Sequence, residues 1–195
     1  MNKTKRRIFK TAIKLFAEKG FDNAGIEEIT AVSGVAKGSL YYHFETKEEI
    51  FDTLLDSGFK LLQNSFEIKF RHRDTAEEKL KAIVLILIKI VVLYEEFMTV
   101  VISNSLGENE RAIKCQKAVD GVCIQIADVL KDGINNGEFK PCDVESLSYL
   151  IFSSAYSTAL YRIKKDKNAT STEIYDDYID IMLNGLKINN NWKAE

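Results

Sequence analysis

The stretch GIEEITAVSGVAKGSLYYHFETK, residues 25–47, decides how this chain is read. Ile26–Val32 is about two helical turns long and is entered through Gly25. Ser33-Gly34 then supplies a tight turn, because glycine accepts a left-handed backbone that other residues resist. A second short helix covers Lys37 to Phe44. Thr46 opens the next helix with a capping box, its hydroxyl accepting from the Glu49 amide while the Glu49 carboxylate reaches back to the Thr46 amide. Two short helices joined by a glycine-bearing turn, with a basic flank and exposed aromatics on the second, make a helix-turn-helix. The second helix of such a pair fits the DNA major groove and presents its N-terminal side chains to base edges, braced by the first.

Helix signals continue outward on both sides. Upstream, Ile8, Phe9, Ala12, Ile13 and Phe16 form one stripe of a helix from about Lys3 to Lys19, and Gly20 stands at its C-terminal cap. Downstream, the helix from Thr46 carries Ile50, Phe51, Leu54, Leu55, Phe59, Leu62 and Phe66. Thr75 with Glu78 repeats the capping box before one long apolar helix at 76–103. A break at Ser103 to Glu108 leads to a helix ending near Asn136, with Gly137 as its stop. Pro141-Cys142-Asp143 opens a helix ending near Lys165, and Thr170 with Glu173 caps a last one ending near Leu186. The residues after it read as a frayed tail. The expected fold is all-α: a reading head of three helices in residues 1–47 on a larger helical body in residues 48–195.

Composition agrees with that and removes other classes. The 195 residues are 46% hydrophobic and 29% charged, enough for a soluble core. A single proline, Pro141, and ten glycines argue against a turn-rich β sandwich. Cys115, Cys123 and Cys142 form no C-x-x-C pair and read as reduced thiols of a cytoplasmic protein. His43 and His72 have no metal-ligand spacing, so no metal and no cofactor is expected. The basic N-terminus lacks the apolar segment of a signal peptide. The most apolar run, 82–102, is interrupted by Lys89, Glu95 and Glu96 and suits a buried helix better than a membrane span. Charge is uneven: residues 1–47 carry a net +4 and the remainder −6, a basic head for a polyanion on an acidic body.

The segment VAKGSLYYHFETK resembles the TetR family of bacterial transcriptional regulators. Gly38, Ser39, Leu40, Tyr41, Tyr42, His43, Phe44 and Lys47 fall in register with that family's recognition helix and the start of its next helix. The preceding AIKLFAEKGFDNAGIEEITAVSGV also matches, and the specific likeness covers about residues 8–51. It implies DNA contacts by Lys37, Gly38, Ser39, Tyr41, Tyr42, His43 and Lys47, with Leu40 and Phe44 in the core. Tyr41 is open between a packed ring and a dual role with its hydroxyl on a phosphate. Lys37 and Lys47 stand at helix N-termini, where the dipole favours phosphate. Three departures bear on affinity and operator sequence: Gly25 and Ala36 replace side-chain caps, and Glu27 and Glu28 put acids on the first helix of the pair.

Residues 48–187 hold no catalytic constellation, so no enzyme is expected. The resemblance implies a small-molecule pocket and pairing of the last two long helices across a two-fold axis. Tyr94, Phe97, Phe152 and Tyr156 are the pocket candidates, and aliphatic and aromatic faces around them predict a hydrophobic effector. The expected protein is thus a homodimeric, ligand-responsive repressor on a palindromic operator. In it, the helix from Thr46 acts as the lever between head and body. A DNA-binding protein with no effector is the alternative, and a helical enzyme with a chance motif is a remote third.

Overall fold

The structure, a computed structural model, describes residues 3–186. Among these, nine α-helices follow one another: α1 Lys3–Lys19, α2 Ile26–Ser33, α3 Lys37–His43, α4 Lys47–Phe70, α5 Ala76–Leu93, α6 Glu95–Asn104, α7 Glu110–Asn135, α8 Val144–Lys165 and α9 Ser171–Leu186. The tail expected after Leu186 lies outside the described residues. The chain packs as two compact units, one formed by residues 3–61 and 94–118, the other by 62–93 and 119–186.

The first unit has an aromatic core. α1 packs on α2, α3 and α6, burying Ile8, Phe9, Ala12, Leu15 and Phe16. Phe16, Phe21 and Phe51 meet with ring centroids 5.0 to 6.1 Å apart, and Phe9 meets Phe44 at 5.4 Å. These tilted and edge-on contacts suit ring quadrupoles. Gly20 and Gly34 stop α1 and α2 at φ +78° and +60°, as their places in the sequence require.

The second unit has an aliphatic core, in which α5 packs on α8 and α9. α5 buries Leu80, Ile83, Val84, Leu87, Ile88 and Val91. Its N-terminus is capped twice. Thr75 Oγ1 accepts from the Glu78 amide at 3.1 Å, and the Glu138 carboxylate accepts from the amides of Ala76 and Glu77, both at 3.0 Å. Two amides that a helix leaves orphaned are thereby satisfied from a distant turn. Phe139 beside Glu138 is buried so close to Gly133 that a Cβ there would stand 2.2 Å from its ring.

Two expectations need correction. The run at 76–103 is two helices, because at Tyr94 the backbone turns to φ −134°, ψ 42° and α6 starts afresh. Glu95 and Glu96, which read as mere interruptions of an apolar helix, occupy the first turn of α6, where acids favour the positive end of the dipole. The capping box at Thr46 is also shifted. Its hydroxyl takes the Glu49 amide at 3.1 Å, but the Glu49 carboxylate reaches the amide of Glu45, at 2.7 Å, instead of Thr46.

Candidate nucleic-acid interface

The surface of α3 follows from its two buried residues. Leu40 and Phe44 are 0% and 2% exposed and fix the helix on α1 and α2, so the side chains between them turn outward. Tyr42 is 84% exposed and Tyr41 40%. Lys37, Gly38 and Ser39 are exposed, and His43 is half-buried with its ring edge-on to Tyr42, centroids 5.1 Å apart. Phenol, hydroxyl, imidazole and ammonium groups thus share one short helix, which is the inventory for phosphate oxygens and base edges. Gly25 and Ala36 cap α2 and α3 without side-chain bonds, through carbonyls that accept from Ile29 and Leu40 at 3.0 and 3.1 Å.

The acids on α2 are already paired. Glu28 takes Lys19 at 2.5 Å, and Glu27 takes Lys37 at 3.0 Å, which ties α2 to α3. The hydrogen bond to Glu27, with its charge, raises the pKa of Lys37. The repulsion toward phosphate that Glu27 and Glu28 would otherwise exert is partly neutralised by these pairs.

Lys47 is differently employed from the sequence expectation. Its Nζ donates to the main-chain oxygens of Phe21, Asp22 and Ala24 at 2.8, 3.1 and 3.2 Å and lies 4.5 Å from the centre of the Phe21 ring. An ammonium has three donors, and all three are taken. In this geometry Lys47 braces the turn after α1, with none left for a phosphate.

Two basic residues have roles that the sequence did not disclose. Arg7 Nη2 donates to the carbonyls of Ser33 and Gly34 at 2.7 and 3.2 Å, clamping the turn between α2 and α3. Lys5 Nζ stands 5.2 Å from the centre of the Phe44 ring. In the sequence both belonged to an undifferentiated basic stretch, and only the packing of α1 on α3 separates clamps from solvated charges.

The four pocket candidates are divided between the units. Tyr94 begins α6 and is 52% exposed, and Phe97 packs on Phe59 and Gly58, where a Cβ would meet its ring at 2.4 Å. Phe97 also borders an apolar void of about 10 Å³ with Ile13, Phe16 and Val100, room for about one water. In the second unit Phe152 is buried and Tyr156 half-buried on α8. The second unit also carries an open apolar groove along α8 and α9, lined by Leu147, Leu150, Ile151, Tyr178, Ile181 and Met182.

Comparison with known proteins settles the class. Residues 8–54 match the bacterial regulatory proteins of the tetR family, and residues 73–186 match the tetracyclin repressor-like C-terminal domain. The chain belongs to the TetR family. It is a helix-turn-helix transcriptional regulator of that non-enzymatic family. The HTH-type transcriptional regulator YerO of Bacillus subtilis is 50% identical over 50 residues, 26% of this chain and 17% of that protein. The fatty acid metabolism regulator protein of the same organism is 22% identical over 183 residues, 92% of this chain and 94% of that one. A solved structure from Clostridium perfringens, named as a candidate fatty acid metabolism regulator, is 28% identical. It covers 94% of this chain and all of its own, with a TM-score of 0.85. In this TetR-family protein no helix among the described residues is long and apolar enough to cross a membrane.

Proposed function

We propose that the protein is a homodimeric repressor of the cytoplasm that reads a palindromic operator through α3 and releases it when a small, mainly apolar molecule binds. The observation that carries the reading is the outward face of α3. Tyr42 and Tyr41 stand exposed among Lys37, Gly38, Ser39 and His43, while Leu40 and Phe44 anchor the helix. A tyrosine left 84% exposed has no packing reason to be there. Functionally we divide the chain into the reading head, 1–47, and an effector and dimerisation region, 48–195. Lys47 joins the head as its brace.

Pairing of α8 and α9 with a second copy is supported by the open groove and by Leu150 and Ile181, exposed at 62% and 79%. To read a palindrome, such a dimer must hold its two recognition helices to successive major-groove faces, ~34 Å apart. An effector then acts by favouring a form in which that spacing is wrong, since equal affinity for both forms leaves DNA occupancy unchanged. Tyr94, Phe97, Phe152 and Tyr156 remain the candidates for its site, and Phe97 borders the small apolar void of the first unit. The likeness to proteins named as fatty acid metabolism regulators makes a long-chain acyl compound the first ligand to try.

The experiment is a mobility shift on DNA from the protein's own promoter region, titrated with a long-chain fatty acid or its acyl-CoA. The reading expects binding that the acyl compound weakens while raising the melting temperature. Tyr156→Trp should blunt both responses and leave binding without ligand intact. Release by small polar metabolites only would overturn the effector class. DNA affinity that no small molecule alters would favour the effector-independent alternative.

A further inference from the structure

The turn after α1 is held by two cations from distant parts of the chain. Phe21 is buried, and the guanidinium carbon of Arg111 lies 4.0 Å from the centre of its ring, while Lys47 holds the carbonyls on the same turn. Arg111 Nη2 donates to both carboxylate oxygens of Asp22, at 3.1 and 3.3 Å, and its Nε donates to Asn104 Oδ1 at 2.7 Å. The Arg111 side chain is only 19% exposed, against 82% for Asp22. One guanidinium therefore engages a ring and a carboxylate on the turn after α1 and an amide at the end of α6. Its planar fork suits that combination, which a lysine could not reproduce.

The placement of those segments gives the contact its meaning. Phe21 and Asp22 belong to the stretch matching the family's DNA-binding part, and Asn104 and Arg111 to the stretch matching its C-terminal domain. Asn104 ends α6 and Arg111 lies in the first turn of α7. The link between those helices is itself fixed, as Gln116 Nε2 donates to the carbonyls of Ser105 and Gly107 at 2.8 and 3.2 Å. On the other side, the turn holding Phe21 leads to Gly25, the N-cap of α2, so its position sets where α2 and then α3 begin.

We propose that Arg111 is a positioning residue for DNA binding. From the start of α7 it holds the α1–α2 turn, and through it the pose of the recognition helix, without touching DNA. This inference rests on the DNA-reading role proposed above and names how the C-terminal part reaches the head.

The test uses the full chain and DNA that the wild-type protein selects from a random-sequence pool. For each variant three quantities are read: dissociation constant, slope of log affinity against log salt, and the fraction of protein competent to bind. Arg111→Ala is expected to bind at least ten-fold more weakly with an unchanged salt slope, because no phosphate contact is lost. Asp22→Asn should weaken binding less, and the double variant should bind no more weakly than Arg111→Ala alone, as for two partners of one interaction. Arg111→Lys should fall between wild type and Arg111→Ala. If Arg111→Ala does not fold, Asp22→Asn and Arg111→Lys carry the same readings. Affinity equal to wild type overturns the proposal, and so does a salt slope lower by about one, which would place Arg111 on a phosphate. A reduced competent fraction whose remaining molecules bind as wild type does would also overturn it, since that is a merely structural role. Failure of the wild-type protein to select any DNA would instead bring down the DNA-reading role itself, and this inference with it.

Discussion

Two exposed patches invite comparison because each shows large side chains to solvent in different company. On α3, Tyr41 and Tyr42 stand among an ammonium, a hydroxyl and an imidazole. On α8 and α9, Leu150 and Ile181 border a groove whose other walls are Leu147, Ile151, Tyr178 and Met182. The groove's few polar atoms are mostly used internally. The Tyr178 hydroxyl lies 2.7 Å from Ser154 Oγ, and Asp177 pairs with Arg162 at 2.5 Å. Exposed aromatics among an ammonium and neutral hydrogen-bond donors suit a polyanion, whereas exposed aliphatics among aliphatics suit another apolar surface. Exposure alone therefore says little, and the neighbours identify the partner.

The comparison breaks most readily at the groove. Ile181→Asp, at a site already facing solvent, should leave the monomer folded and abolish dimer formation at micromolar concentration. Operator affinity should then fall by about 100-fold or more, because a single half-site remains. Sedimentation together with binding titration checks both. A dimeric Ile181→Asp protein would remove the groove from the interface.

On the other patch, Tyr42→Ala should weaken operator binding by about 1–3 kcal/mol and relax base preference. Competition with operators changed at single base pairs would show whether preference and affinity fall together.

The two lysines of the head give a finer contrast. Lys37→Ala should weaken binding to every sequence and lower the salt slope by about one. Lys47→Ala should weaken binding with no change of slope, because its donors serve the turn at Phe21–Ala24. Equal slopes for both variants would erase the distinction drawn between a phosphate contact and a brace.

The smallest effect concerns Gly25. Its φ of −87° suits any residue, and no atom lies within 4 Å of the place for a Cβ. Gly25→Ser should raise stability by a few tenths of a kcal/mol by adding a side-chain cap to α2. Thermal unfolding in the absence of DNA measures it.

What the sequence disclosed and what it hid differ in physical kind. Helix starts and stops are written in neighbouring residues, so Gly20, Gly34 and Gly137 and the boxes at Thr75 and Thr170 were legible. The inward positions of α4, from Ile50 to Phe66, were legible through their period. The break at Tyr94 was not, because an apolar run with no glycine or proline also suits one longer helix. The pair Glu95-Glu96 was the available sign. Interactions between distant segments left no local mark. Nothing near Arg7 announces Ser33, nothing near Glu138 announces the amides of α5, and nothing near Arg111 announces Phe21. Lys47 was legible as important, but its employment was not, since a lysine at a helix N-terminus serves a phosphate or a carbonyl equally well. The pocket was the least legible part, because an aromatic such as Phe97, which packs on Phe59 and also borders a void, serves a core or a ligand wall with the same sequence signal.

The central claim is that two copies of this chain read DNA together through α3. Selecting DNA from a random-sequence pool with the wild-type protein, then sequencing what is retained, tests it most directly. The account predicts an inverted repeat whose half-sites are centred about one or more helical turns apart, bound by two chains. Enrichment of a single unrepeated site bound by one chain, or of no sequence at all, would contradict it.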